Sequence, residues 1–181
     1  MKINRTLNKA IELIDNDYSH VLEFGVNSGT TIKQLRTMLP DSYSLYGFDS
    51  FEGLPDNWTG TWAKKGDMST NGIIPKINGV FFYKGWFKDT IIEYKQIAQP
   101  ISLLHIDCDL YSSTIDVLYG LREFILPGTV LVFDEWYYNH KDIPENRQHE
   151  QKAFYEWVTE FNINFIEYPE VEEERKIIKI V

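Results

Sequence analysis

Five carboxylate residues of this 181-residue chain lie at or just after the ends of predicted strands, where they are well placed for chemistry. They are Asp49, the pair Asp107 and Asp109, and the pair Asp134 and Glu135. Parallel strands present their carboxyl ends at one edge of a sheet, so Asp107, Asp134 and Glu135 would converge there if the fourth and fifth strands neighbour the first. Clustered carboxylates suit a hard cation such as Mg²⁺, which can bind a substrate hydroxyl and lower its pKa beside a proton-accepting carboxylate. The alternative is that these carboxylates cap helices or face solvent.

Residues 21–31 predict a strand, a turn and the start of a helix, because a short apolar run meets Gly25 and Gly29 there. Glycine lets the backbone turn sharply, and a helix N-terminus offers free N–H groups to a polar or anionic cofactor. The chain lacks the third glycine of a G-x-G-x-x-G dinucleotide motif, which disfavours a nicotinamide dehydrogenase. With Glu23 two residues before Gly25, the spacing instead resembles the first motif of the class I S-adenosylmethionine-dependent methyltransferases. A generic strand-to-helix turn is the alternative.

One further feature favours a cofactor at this turn, and another concerns the helix that follows it. Asp49 lies twenty residues after Gly29, and an acidic residue at about this distance from a glycine turn often bonds ribose hydroxyls. Ser28, Thr30 and Thr31 are N-cap candidates for the helix that follows. A surface carboxylate closing a strand is the alternative interpretation of Asp49.

The histidines and the single cysteine are less informative. His105 lies inside an apolar run and is expected to be a hydrogen-bonded core residue. His140 and His149 flank the last predicted loop, where either could reach a substrate, and His149 is taken as a catalytic candidate; solvated loop histidines are the alternative. Cys108 has no basic partner at a recognisable spacing, so we expect a buried thiol.

Strands alternate with helices along the chain. The predicted strands cover residues 20–24, 44–48, 80–83, 101–106, 129–133, 164–168 and 176–181, and the predicted helices cover 3–14, 30–39, 89–98, 112–125 and 149–161. Residues 51–79 have no clear period and predict a long loop, in which Trp58 and Trp62 are buried anchors or substrate contacts. This order predicts an α/β fold in a single domain over residues 1–181. Its Rossmann-like, doubly wound, mostly parallel seven-stranded sheet has helices on both faces and a C-terminal antiparallel hairpin.

Charge and composition limit the classes of partner. The formal net charge of −9 offers no basic surface for a phosphate backbone, which disfavours nucleic acid as a substrate. One cysteine excludes an internal disulfide, and no apolar run approaches the length of a membrane span. We therefore expect a cytoplasmic protein that acts on a small molecule, with no membrane partner.

Several spaced segments resemble one family, the macrocin O-methyltransferase-like sugar O-methyltransferases, a metal-dependent group within the class I methyltransferases. The segments are Glu23-Phe24-Gly25, residues 46–55 (YGFDSFEGLP), residues 83–90 (YKGWFKDT) and residues 105–114 (HIDCDLYSST). Together they extend over residues 21–135, and chance agreement across so many spaced segments is implausible.

The resemblance implies a set of ligand-binding residues. S-adenosylmethionine would contact Glu23, Phe24, Gly25, Asn27, Ser28, Gly29, Thr30, Thr31, Asp49, Ser50, Lys84, Gly85, Trp86 and Asp107. Asp107, Asp134 and Glu135 would hold Mg²⁺ or another divalent cation, and Asp107 would also be the candidate base.

Two departures from the family pattern are visible. The chain has Asp134-Glu135-Trp136 where the family usually has two aspartates and an aromatic residue, and the longer glutamate stem moves the ligating oxygen. Only about twenty residues precede the first predicted strand, whereas family members carry more sequence there, which contributes to lid and subunit contacts. A homodimer is a further expectation, separate from these departures.

The expected function is transfer of a methyl group from S-adenosylmethionine to a hydroxyl of a sugar or glycosylated small molecule, assisted by a divalent metal. One alternative is a class I methyltransferase that acts on a different acceptor without metal. Loss of Asp134 would abolish turnover in the first case and only weaken it in the second. Another alternative is an accessory protein that binds S-adenosylmethionine without catalysis.

Overall fold

The computed structural model describes residues 4–137 and 148–181. Within these residues the strands are β1 (His20–Phe24), β2 (Ser44–Asp49), β3 (Val80–Lys84), β4 (Ile101–Ile106), β5 (Val130–Phe133), β6 (Phe165–Glu167) and β7 (Lys176–Ile180). The helices there are α1 (Arg5–Glu12), α2 (Thr30–Met38), α3 (Phe87–Tyr94), α4 (Tyr111–Gly120) and α5 (Glu150–Phe161). The strands form one sheet in the order β3-β2-β1-β4-β5-β7-β6. The first five strands are parallel and β7 is antiparallel to both of its neighbours, which confirms the predicted fold class.

Helices cover both faces of the sheet. Apolar residues of α1 and α2 pack on one face, and those of α3, α4 and α5 pack on the other. The central strands β1, β4 and β5 are buried along their whole length, as expected for parallel strands that helices cover on both faces. Among the described residues, no helix has the length and apolar character needed to cross a bilayer.

The structure corrects several predicted helix boundaries. The predicted N-cap of α2 is wrong: the cap is Gly29, at φ 80°, and not Ser28, Thr30 or Thr31. Helix α3 covers residues 87–94 and not 89–98, because the backbone N–H groups of Gln96 and Ile97 bond three residues back and tighten the chain out of the helix. Helix α4 ends at Gly120, and residues 121–124 continue as turns. Residues 51–79 contain no helix or strand, as predicted.

The parallel strands end in register at the edge where the carboxylates lie. Phe24 is level with Ile106, and Ile106 is level with Phe133. Backbone hydrogen bonds continue past the ends of the strands, from Asp107 N to the Phe24 oxygen at 2.9 Å and from Asp134 N to the Ile106 oxygen at 2.9 Å. The residues that follow the strands are therefore side by side.

Gly25 lies at this edge because no larger residue fits. Its φ is +93°, and a Cβ atom built there would lie 1.6 Å from the carbonyl oxygen of Asp107. The close approach of two backbones at the ends of β1 and β4 therefore requires glycine, whatever the turn binds.

We predict that Gly25→Ala destabilises the protein by more than about 3 kcal/mol, because the backbone strain of roughly 1–3 kcal/mol is joined by a clash with backbone. Gly60→Ala is the matched control, since Gly60 has φ +86° and a Cβ atom added there would meet no atom of the described residues within 4 Å, apart from its chain neighbours. It should lose only the strain. Urea denaturation of both variants measures the difference, and equal losses would contradict the steric explanation.

Candidate active site

A cavity of about 710 Å³ opens at the carboxyl ends of β1, β2 and β4. Its walls come from the turn after β1, the start of α2, the 51–79 loop and the starts of α3 and α4. The predicted cofactor residues that line it are Gly25, Asn27, Ser28, Thr30, Thr31, Asp49, Ser50, Trp86 and Asp107. The predicted metal residue Glu135 lines it as well.

The other predicted site residues lie outside the cavity wall. Glu23 and Phe24 are fully buried in β1, behind the turn. The backbone N–H of Gly85 donates to the carbonyl of Asp49 at 3.0 Å, and the Lys84 ammonium donates to the carbonyl of Gly72 at 3.0 Å. A Cβ atom on Gly29 would touch Pro75 and Ile77 of the loop. Asp134 contacts Arg175 and His105. His149 contacts the backbone of Tyr111 and Thr59.

Asp49 fixes the shape of the turn after β1. Its carboxylate accepts hydrogen bonds from the backbone N–H groups of Asn27 at 2.7 Å and Phe51 at 2.6 Å. The Asn27 amide in turn donates to the carbonyl of Met68 at 2.7 Å, which attaches the turn to the 51–79 loop. Asp49 also lines the cavity, so one carboxylate both orders the turn and faces the space beside it.

The carboxylates at the strand ends form two overlapping groups. Oxygens of Asp107, Asp109 and Glu135 lie within 4.8 Å of one another, as do ligand atoms of His105, Asp107 and Asp134. The structure therefore brings Asp107 together with Glu135 and also with Asp134, but in different groups. Within the described ranges, Asp107, Asp109 and Glu135 have no ion pair with a lysine or arginine.

Ionisation of the first of these groups is unfavourable in the absence of a cation. Burial, together with the charges of the neighbouring carboxylates, raises the pKa values of Asp107 and Glu135 well above the usual range. Burial and the charges of Asp134 and Asp49 raise the pKa of Asp109 to about 7. The Oε2 atom of Glu135 is buried and has no hydrogen-bond partner in the part of the chain that the structure describes. These oxygens fit a hard divalent cation, which would neutralise the group.

Asp134 has a different environment. It accepts from Arg175 Nε at 2.6 Å and Arg175 Nη2 at 3.2 Å, and its Oδ1 lies 3.5 Å from His105 Nε2. Burial alone would raise the pKa of Asp134, but these two partners hold it at about 2. His105 is fully buried between Asp134 and Glu23, whose Oε2 lies 3.1 Å from Nδ1. Burial opposes protonation of His105, yet both carboxylates raise its pKa well above the usual range.

Two residues of this cluster lie far along the sequence from the predicted motifs. Glu150, at the start of α5, is fully buried, and its carboxylate accepts from the backbone N–H groups of Cys108 at 3.4 Å and Glu135 at 3.1 Å. An acidic residue at a helix start has an ordinary electrostatic explanation, so its sequence position gives no signal of this role. Arg175 precedes β7, and nothing in its local sequence connects it with Asp134.

His149 holds the wall of the cavity together. Its Nδ1 accepts from the backbone N–H of Tyr111 at 3.4 Å, its Nε2 lies 3.0 Å from the carbonyl oxygen of Thr59, and its ring meets Trp58 edge-on. Burial lowers its pKa, so the neutral ring donates from Nε2. Its catalytic role stays a prediction. The other histidine near this loop, His140, lies outside the described residues.

The two tryptophans of the 51–79 loop have opposite environments. Trp58 is buried with Leu54, Ala63 and Leu110 and anchors the loop beside α4. The Trp62 side chain is 73% exposed and lines the cavity. The buried-anchor interpretation therefore holds for Trp58 only. Cys108 is buried, as predicted, and burial raises the pKa of its thiol.

Solved methyltransferases share this fold. The structure of CalS11, a calicheamicin methyltransferase, matches with a TM-score of 0.75 and 17% sequence identity, over 97% of this chain and 77% of that chain. The O-methyltransferase NovP matches with a TM-score of 0.71 and 20% identity, over 97% of this chain and 78% of that chain. At these identities the likeness shows the fold alone.

Sequence comparison gives a narrower similarity. Residues 76–157 match the family model described as Macrocin-O-methyltransferase (TylF), which confirms the family resemblance for the segments at residues 83–90 and 105–114. A relative from Streptomyces olivaceus, the 8-demethyl-8-(2,3-dimethoxy-alpha-L-rhamnosyl)-tetracenomycin-C 4'-O-methyltransferase, is 26% identical over 146 residues. The match covers 68% of this chain and 55% of the relative, so this chain spans about half the length of that protein.

We predict that Asp109→Asn stabilises the cation-free protein by about 1–3 kcal/mol more at pH 8 than at pH 5. The folded-state pKa of Asp109, about 7, lies above the unfolded value of 3.8. Above pH 3.8 the folded state therefore keeps a proton that the unfolded state releases, and the stability that this proton provides is lost progressively as pH rises from 3.8 to about 7. Asparagine imitates the protonated acid and tolerates the positive φ of this position.

Urea denaturation in chelator at both pH values measures this effect. Asp56→Asn is the control, because Asp56 is an exposed carboxylate that also lines the cavity. A loss of stability at pH 8 in Asp109→Asn would contradict the electrostatic account.

Proposed function

We propose that the protein transfers a methyl group from S-adenosylmethionine to a hydroxyl of a sugar or glycosylated small molecule, with a divalent cation at the active site. One observation carries the proposal: the carboxylates of Asp107, Asp109 and Glu135 face the same cavity as the glycine turn after β1. The TylF family match and the sugar O-methyltransferase relative support it.

The cofactor would lie along the turn and the end of β2. The start of α2 presents backbone N–H groups beside Thr30 and Thr31, and its cap Gly29 has no side chain to accept from them. Asp49 is available to ribose hydroxyls, and Trp86 offers an apolar wall to the nucleoside. S-adenosylmethionine would supply an electrophilic methyl group on its sulfonium.

The cation would be held at the acidic end of the cavity by Asp107 and Glu135, with Asp134 as the third predicted ligand. Mg²⁺ or a similar ion lowers the pKa of a hydroxyl that it binds. Asp107 is the proposed base, and Asp109 is close enough to share the proton that the hydroxyl releases. His149 would contribute by holding the loop wall in place, since both of its ring nitrogens contact backbone atoms.

The acceptor sugar would pack on Trp62. The indole faces the cavity while remaining largely exposed, and sugar rings present apolar C–H faces that such a surface can cover. Loop residues 54–63 pack beside Leu110, next to Asp109, so this wall lies near the acidic end of the cavity. The cytoplasmic location and the homodimer are parts of the same proposal.

Calorimetric titration of S-adenosylmethionine and S-adenosylhomocysteine tests the cofactor site. We expect Asp49→Asn to weaken binding roughly 10- to 100-fold, because hydrogen bonds to a charged group contribute about 1.5–3 kcal/mol. Asp56→Asn should bind as the wild type does.

Failure of a folded wild-type protein to bind either cofactor form would overturn the proposed function. Cofactor binding and methyl transfer without any cation requirement would favour the metal-independent alternative. Cofactor binding without transfer to any acceptor would favour the accessory protein.

The acceptor wall is tested by Trp62→Ala. We expect the KM of a rhamnoside acceptor to rise roughly tenfold, because the indole no longer covers the apolar face of the sugar, while the affinity for S-adenosylhomocysteine stays unchanged. Trp62→Phe keeps an aromatic face and should recover most of the loss. An unchanged KM in Trp62→Ala would exclude this role.

A further inference from the structure

Arg175 connects the C-terminal hairpin to the acidic site. The residue precedes β7, and its guanidinium donates to Asp134 from both Nε and Nη2. Its remaining amino group, Nη1, donates to Glu172 at 3.1 Å. Glu172 itself accepts from the backbone N–H of Thr6 at 2.9 Å and from the Thr6 hydroxyl at 3.0 Å. Hydrogen bonds therefore extend from α1 through the hairpin to the end of β5.

The geometry leaves Asp134 partly free to bind a cation. Its Oδ1 takes the short bond from Arg175 and the contact from His105, whereas the one bond to Oδ2 from the described part of the chain is the 3.2 Å bond from Nη2. A carboxylate oxygen accepts more than one hydrogen bond or metal contact, so Oδ2 retains acceptor capacity. Carboxylate oxygens of Asp134 and Asp107 also lie within 4.8 Å of each other, in the group that includes His105.

The surrounding charges explain why Asp134 needs a fixed partner. Among the described residues, Asp134 is the one strand-end carboxylate with an arginine partner, and the Arg175 side chain is 28% exposed. Without that arginine, repulsion from Asp107 and Asp109 would favour rotation of the Asp134 carboxylate away from them. Trp136 N also donates to the carbonyl of Glu174 at 2.7 Å, so the backbone after β5 is attached to the same hairpin.

We propose that Arg175 is a positioning residue of the cation site, which orients Asp134 for cation binding through its two-point contact with that carboxylate. The inference rests on the proposed function, since it assumes that a divalent cation binds at Asp107. Residues that hydrogen-bond to a metal ligand orient it, and their loss typically lowers metal affinity about 10- to 100-fold. The planar guanidinium suits this task better than an ammonium, because it contacts both carboxylate oxygens at once.

Titration of Mn²⁺ and Mg²⁺ into the purified full chain, followed by calorimetry and by the electron paramagnetic resonance of free Mn²⁺, tests this role without an acceptor. We expect Arg175→Met to lower Mn²⁺ affinity by about 10- to 100-fold. Arg175→Lys should lose less, because it keeps the charge and one hydrogen bond. Arg122→Met is the matched control: it removes an equal charge from an exposed arginine that packs over Phe161, and it should bind Mn²⁺ as the wild type does.

A second variant covers the case in which Arg175→Met does not fold. Glu172→Gln leaves Arg175 in place and weakens its other anchor, so we expect a smaller loss of Mn²⁺ affinity, about two- to fivefold, with a cooperative thermal transition. Unchanged Mn²⁺ affinity in both Arg175→Lys and Glu172→Gln would overturn the inference in that case.

Unchanged or tighter Mn²⁺ binding by folded Arg175→Met would overturn the inference and leave the proposed function standing. A wild-type protein that binds S-adenosylhomocysteine but no divalent cation would instead overturn the metal part of the proposed function, and this inference with it. S-adenosylhomocysteine affinity in each variant, which we expect to be unchanged, separates a local effect on the cation site from a general loss of structure.

Discussion

Repulsion between the carboxylates that follow the parallel, in-register strands β4 and β5 is the constraint on which this site depends. Phe24, Ile106 and Phe133 end level with one another, so the residues that follow β4 and β5 must crowd together. Burial adds to the cost, because a buried carboxylate loses its hydration. The protein meets part of this cost with His105 and Arg175, which both contact Asp134. The carboxylates on the cavity side, Asp107, Asp109 and Glu135, are the ones that a cation would bind and stabilise.

The cavity has two chemically different ends. At one end, Asp49 accepts from two backbone N–H groups, and the start of α2 presents further donors, so the surface is polar without being strongly charged. At the other end, carboxylates of Asp107, Asp109 and Glu135 share one small volume. Glu150 holds that end in place, because its carboxylate accepts hydrogen bonds from the backbone N–H groups of Cys108 and Glu135. A cofactor and a metal-held hydroxyl would therefore be bound by different means, side by side.

The 51–79 loop shapes the space in which these ends meet. It contains no regular structure, yet it is fastened at several points: Asn27 bonds to Met68, His149 contacts Thr59, and Trp58 packs beside Leu110. Because these contacts come from the turn after β1 and from the starts of α4 and α5, the loop wall is tied to the same elements that carry the site. Trp62 is left facing the cavity, where it can contact an acceptor.

The sequence alone determined the alternation of strands and helices, the mostly parallel sheet, the glycine turn and the strand-end carboxylates, because apolar periodicity and glycine spacing are local signals. It also correctly indicated a buried Cys108 and a hydrogen-bonded His105. Helix ends were less accurate, since Gly29 caps α2 through backbone geometry that residue type does not reveal. Only the tertiary structure decided that Arg175 and Glu150 join the site and that Asp134 faces Arg175 while Glu135 faces the cavity. These contacts connect residues 15 to 42 positions apart in the chain, and strand order and packing bring them together.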